Sequence, residues 1–116
     1  MRTRILAATA AALLAGAATT AWADGVAEGR SLAFDIGKGN CLACHAVPGD
    51  PAAVTSANIG PPLVQIGARF PQRERLREQI HDPMRFNPGT VMPPFGKHGI
   101  LTAAEIEKII DYLYTL

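Results

Sequence analysis

Cys41, Leu42, Ala43, Cys44 and His45 form a C-x-x-C-H run, two thiols three positions apart with an imidazole immediately after the second. That spacing attaches a haem covalently. The sulfurs form thioethers with the porphyrin vinyl groups, and His45, kept beside the macrocycle by the tether, coordinates iron from one side. A bare C-x-x-C also serves as a thioredoxin-like redox pair, half of a zinc site or a disulfide. A zinc site needs two further ligands, and the other histidines, His81 and His98, stand too far apart for H-x3-5-H spacing. A redox pair belongs to an alternating β/α sequence, which this chain does not show. The motif therefore predicts one haem c bound through Cys41 and Cys44, with His45 as an axial ligand.

Covalent haem implies export, and the N-terminus agrees. Arg2 and Arg4 supply a positive head, residues 5–18 an apolar run, and Ala21-Trp22-Ala23 a small-x-small cleavage site, so 1–23 reads as a signal peptide and 24–116 as one mono-haem domain in the periplasm. The competing reading is a membrane anchor, but the run is alanine-rich and only marginally long enough for the roughly 20 strongly apolar residues of a spanning helix, and the cleavage pattern separates the two. Cleavage removes the only tryptophan, Trp22. It also takes the 11 Lys and Arg to nine against 10 Asp and Glu, a formal −1. Two haem propionates bring this to about −3. No basic surplus points to nucleic acid, and with the signal gone no membrane contact is expected. The remaining 93 of 116 residues bury a modest core. The haem adds apolar surface to it, so the chain without haem is expected to fold poorly.

The periodicity predicts an all-α domain. Asp24 to Gly39 reads as a helix with Val26, Gly29, Leu32, Ala33 and Ile36 on its apolar side, ended by Gly37 and Gly39. Gly29 marks either a close backbone approach or a tolerated helical glycine. Pro48 to Ala57 is a surface loop. The Ile59-Gly60-Pro61-Pro62-Leu63 stretch is too rigid for helix or central strand. Its Pro61 either presents a carbonyl to the free ring nitrogen of His45, orienting the ligand, or forms an ordinary turn. Phe70 to His81 reads as a helix with Pro71 in its first turn and Leu76 and Ile80 inward. Among Arg69, Arg73, Arg75, Arg77 and Arg85, most are solvated helix-face residues, and Arg69 is the first candidate for a haem propionate or a partner. Thr102 to Leu116 reads as the last helix, with a Thr102/Glu105 capping box, an Ile106, Ile109, Ile110, Leu113 stripe, and Glu107, Lys108 and Asp111 facing water. It crosses the first helix near Gly29, with Tyr112 or Tyr114 filling the gap.

The sixth iron ligand comes from Met84, Met92, His81 or His98. Met92 is favoured because Pro93 and Pro94 stiffen the backbone that follows it. Met84, after Pro83, reads as a packing residue, His98 as the donor of a bis-histidine variant, and His81 as an exposed helix end. A His45/Met92 pair saturates iron and suits single-electron transfer, whereas an open site suits peroxidase or gas-sensing chemistry.

Taken together, the N-terminal helix, the C-x-x-C-H, the G-P-x-L at Gly60 to Leu63, the Met92 loop and the amphipathic last helix resemble class I cytochrome c across residues 24–116. This implies N- and C-terminal helices crossing around the haem. More narrowly, Asn58 to Arg69 (N-I-G-P-P-L-V-Q-I-G-A-R), Phe86 to Pro88 (F-N-P), Val91 to Gly96 (V-M-P-P-F-G) and Asp111 to Leu116 (D-Y-L-Y-T-L) are similar to the SoxX subunits of SoxAX cytochromes. The resemblance implies a SoxA partner in the periplasm and joint oxidative linkage of thiosulfate to a cysteine of the carrier SoxYZ, an L-cysteine S-thiosulfotransferase activity. The active-site haem then belongs to SoxA, and this chain alone is an electron carrier that passes electrons to a soluble cytochrome c. By position, Cys41 and Cys44 bind haem and His45 and Met92 are its axial ligands. The chain is shorter before its haem motif than some members of that family. The alternative is a free-standing periplasmic electron shuttle serving an oxidase or dehydrogenase. Either role calls for an exposed apolar patch at the haem edge, expected around Cys41, Ala43, Ala46, Pro94 and Phe95.

Overall fold

A computed structural model describes residues 8–116, with side chains described from residue 19 onward. The α-helices are α1 (Ala8–Phe34), α2 (Ile66–Arg69), α3 (Arg73–His81) and α4 (Ala103–Leu113), and single 3-10 turns occupy Cys41–Ala43 and Pro83–Arg85. Among the described residues there is no β-strand, as an all-α fold requires, and no helix long and apolar enough to cross a membrane. Residues 1–7 of the expected signal lie outside the described residues. Residues 8–23 continue helically into α1, with Ala21, Trp22 and Ala23 exposed.

The frame is the crossing of α1 and α4. A Cβ at Gly29 would lie 1.8 Å from the Lys108 carbonyl oxygen, so only glycine lets the two backbones meet there. α4 starts on the expected box: the Thr102 side chain accepts from the Glu105 N–H at 3.2 Å, and Glu105 accepts from the Thr102 N–H at 2.8 Å. Its stripe of Ile106, Ile109, Ile110 and Leu113 is buried with Ala33, Ile66, Leu76, Ile80, Phe95, Leu101 and Tyr112. Tyr112 closes the gap beside α1, its ring edge-on to Phe34 at 5.9 Å.

Several expectations need correction. α1 stops at Phe34 rather than Gly39, because Asp35 offers the chain a local alternative to the helix: its side chain accepts from the Gly37 N–H at 2.7 Å and its carbonyl from the Asn40 N–H at 3.0 Å. Ile36 is therefore outside the helix and 84% exposed. α3 starts at Arg73, with Pro71 before its N-cap Gln72. Phe70 precedes a proline, which disfavours helical backbone, and its carbonyl instead accepts from the Tyr114 hydroxyl at 2.8 Å. Glu107, Lys108 and Asp111 do not simply face water. Glu107 pairs with Arg73 and Arg77, Asp111 with Arg73, and Lys108 with Glu28 of α1, bracing α4 on both sides. Met84 is 45% exposed, since the 3-10 turn points Pro83 inward in its place.

Candidate functional site

Between the motif, α3 and the Met92 loop lies a cavity of about 680 Å³, within the roughly 300–1,000 Å³ range of small-molecule sites. Its wall includes Cys41, Cys44 and His45, the Gly60-Pro61 segment, Leu63, Arg69, Leu76, Gln79, Ile80, Met92 and Phe95. The motif enters it through a tight turn. Asn40 takes the left-handed conformation (φ 44°) that short polar side chains tolerate. The N–H groups of Cys44 and His45 then both donate to the Cys41 carbonyl, at 3.2 and 2.9 Å. Buried Gly39 lets this turn fold onto α1, where a Cβ would lie 3.0 Å from the Leu32 carbonyl.

A proline strap holds His45. Gly60 N–H donates to the Cys44 carbonyl at 2.7 Å and Leu63 N–H to the Ala46 carbonyl at 2.8 Å, laying the strap along the motif. The Pro61 carbonyl oxygen stands 2.7 Å from His45 Nδ1. A Cβ on Gly60 would sit 2.3 Å from His45 Cε1, so the ring lies directly against that backbone. With Nδ1 carrying the proton toward Pro61, Nε2 is left as the ligating atom, the usual arrangement for a metal-bound imidazole. Arg69, the last residue of α2, donates to the Pro62 and Val64 carbonyls at 2.8 and 3.2 Å. It braces the strap while its side chain borders the cavity.

Of the four candidate sixth ligands, Met92 lines this cavity and Met84, His81 and His98 do not. Its loop is pinned to the end of α3: Gly96 and Lys97 N–H donate to the His81 carbonyl, and Lys97 Nζ pairs with buried Asp82 at 3.0 Å. The Lys97 ammonium holds the Asp82 carboxyl below its ordinary range. Burial pushes the Cys41 thiol up to about 11.

The arginines of α3 and of the 3-10 turn after it are not a free basic face. Arg73, Arg77 and Arg85 pair with carboxylates, and Arg75 lies over the Phe86 ring. The apolar patch also differs from expectation. Pro94 and Phe95 are buried, because the Phe95 carbonyl accepts from Leu101 N–H and its ring joins the core. Of the expected patch Ala43 is exposed at the cavity, and it is joined there by Ile36, Ile59 and Val91. Two positions in contact with the candidate ligands had no role assigned from the sequence. Gly60 had the adjoining prolines as its signal. Gln79, whose side chain reaches Met92, is a polar helix residue with no local signal.

Residues 26–116 match the cytochrome c family. The chain belongs to the cytochrome c family. Electron transfer through a covalent haem c is thus what residues 26–116 supply, and the cavity suits the group. Both thiols and His45 border one space, and three aliphatic side chains otherwise exposed to water surround it, as a planar apolar ring demands. Among relatives of this cytochrome c, an uncharacterized lipoprotein of Aquifex aeolicus (strain VF5) is 42% identical over 77 residues, covering 66% of this chain and 36% of that protein. The match thus spans about a third of that relative's length. The crystal structure of SoxXA from P. pantotrophus superposes with a TM-score of 0.68 at 29% identity, over 76% of this chain and 78% of that one.

Proposed function

We propose that this cytochrome c is exported to the periplasm with residues 1–23 removed, holds its haem iron between His45 and Met92, and serves as the SoxX-type subunit of a SoxAX thiosulfate-oxidising complex. One observation carries the ligand assignment: Met92 borders the same cavity as the C-x-x-C-H run, and its three competitors lie elsewhere. The likeness to SoxXA supports the partner.

When bound, haem c supplies a one-electron centre. Cys41 and Cys44 would anchor it, Pro61 fixes the His45 ring through Nδ1, and Met92, in the wall of the same cavity, would offer its thioether. With His45 and Met92 both donating to the iron, the group would suit electron transfer rather than the binding of oxygen or peroxide. Thiosulfate linkage to SoxYZ takes place on SoxA. This chain receives the released electrons and passes them to a soluble cytochrome c.

Co-expression of the haem-loaded chain with SoxA tests the reading. The expected result is a stable heterodimer in which thiosulfate-dependent, SoxYZ-dependent electron release requires this chain. A clean monomer that exchanges electrons with an oxidase or dehydrogenase without SoxA would replace it by a free-standing shuttle.

A further inference from the structure

The segment that carries Met92 is short and stiff, so whatever holds its far end also holds the sulfur. Pro93 and Pro94 follow the methionine directly and lock φ at two successive positions. Phe95 N–H donates to the Pro93 carbonyl at 3.0 Å and His98 N–H to the Pro94 carbonyl at 2.9 Å, which folds residues 93–98 into consecutive turns. Upstream, Met92 N–H donates to Thr90 Oγ1 at 3.1 Å. Movement at Lys97 is therefore passed to Met92 rather than absorbed between them.

The far end is fastened where α3 stops. Gly96 and Lys97 N–H both donate to the His81 carbonyl, at 3.2 and 3.1 Å. A Cβ at Gly96 would lie 2.0 Å from His81 Nδ1, so only glycine lets the loop come this near. Beside these bonds Lys97 Nζ pairs with Asp82 Oδ2 at 3.0 Å. The two members of the pair are unlike: the Lys97 side chain is 56% exposed and the Asp82 side chain 10%. Asp82 Oδ1 is buried with no hydrogen-bond partner among the described residues. A carboxylate placed in this way is expensive to bury, and a buried ion pair adds little net stability over apolar side chains of similar volume.

We propose that Asp82 and Lys97 are positioning residues whose ion pair latches the Met92 loop to the end of α3 and keeps the sulfur presented to the cavity. The inference rests on Met92 as the sixth ligand. What the pair contributes is selection rather than stability: one placement of the loop brings the ammonium to the carboxylate, and any other leaves the Asp82 charge buried alone. Phe95 anchors the same loop in the core, but apolar burial is non-directional and tolerates small shifts. Without the latch, the loop samples placements with Met92 withdrawn, and a small ligand from solution enters in its place.

The test is the rate at which imidazole displaces Met92 in the ferric, haem-loaded protein, measured beside Tm and hydrogen exchange of the Gly96 and Lys97 amides. Imidazole must wait for the sulfur to leave, so its rate at saturation reports opening of the loop. Asp82→Leu combined with Lys97→Met removes both charges and is expected to keep the parental Tm. It should nevertheless take up imidazole about tenfold faster, the factor that loss of one charge-assisted hydrogen bond gives, with faster exchange at the two amides. Lys97→Met alone, which leaves the Asp82 charge without a partner, should open the loop further still. A parental imidazole rate in the double variant, or a faster rate accompanied by a matching fall in Tm, would overturn the latch. Survival of the sulfur-to-iron charge-transfer band in Met92→Ala would instead remove the ligand assignment beneath it, and the amide exchange would still report whether the pair holds the loop.

Discussion

Gly29 of α1 and Lys108 of α4 bring two helix backbones so close that a single added carbon would occupy the space of a carbonyl oxygen, at 1.8 Å. Neither side of this contact can yield by rotating a side chain. Around it, α1 and α4 are tied by Lys108 to Glu28, and the loop before the motif is tied to α4 by Lys38 to Glu105. The crossing thus sets where Cys41 stands relative to the core.

Replacing Gly29 by Ala should therefore destabilise the protein despite the better helix propensity of alanine, worth about 1 kcal/mol. Forcing a methyl into a packed contact costs roughly 1–3 kcal/mol or more, and here the obstacle is backbone. A net loss of about 2 kcal/mol lowers Tm by about 8–16 °C in a domain of this size. Thermal unfolding of the haem-loaded protein measures it, and an unchanged Tm would show that the helices part freely.

Gly60→Ala should disturb His45 rather than the core. The added methyl meets the imidazole at 2.3 Å and pushes it off the Pro61 carbonyl. Losing such supporting contacts at a ligating histidine typically costs about 10- to 100-fold in metal affinity or activity. Because the haem stays tethered, the loss should appear as a mixed-spin, partly five-coordinate spectrum in protein that still carries covalent haem.

Met92→Ala should abolish the sulfur-to-iron charge-transfer band and lower the midpoint potential, since His/Met ligation raises it. His81→Ala and His98→Ala should leave both as they are. Retention of the band without Met92 would point to another donor.

Acid should loosen the loop that follows the motif. Asp50 accepts from Arg30 through both carboxylate oxygens, one at 2.9 Å, and from the Tyr112 hydroxyl at 2.9 Å. The Arg30 hydrogen bond, outweighing burial, holds its carboxyl well below the usual carboxylate range. A carboxyl depressed in the folded state contributes stability that is present above its ordinary pKa, about 3.9. That stability is lost as pH falls through the lower folded-state value. Asp50→Asn should therefore lower the unfolding midpoint at neutral pH and converge with the parent in strong acid. A constant gap at every pH would remove Asp50 as the acid-sensitive group.

Export should leave a product that begins at Asp24 and, with Trp22 gone, shows no indole fluorescence. N-terminal sequencing and an emission spectrum of periplasmic protein check it. Strong tryptophan emission from that fraction would mean that the leader stays attached.

What the chain settled by itself was whatever depends on near neighbours. Five consecutive residues state the haem attachment because a covalent tether needs only their spacing. α4 was legible because its capping box and its apolar stripe lie within one helix. Tertiary structure decided what depends on segments far apart in sequence. The partners of Arg73 and Arg77 follow from α4 lying beside α3, and Phe95 is buried because it joins a core with Ala33 of α1, Leu76 and Ile80 of α3 and the α4 stripe. Gln79 reaches Met92 across 13 positions. A contact of that kind has no local signature, since the energy of packing is set by which surfaces meet and not by which residues follow one another.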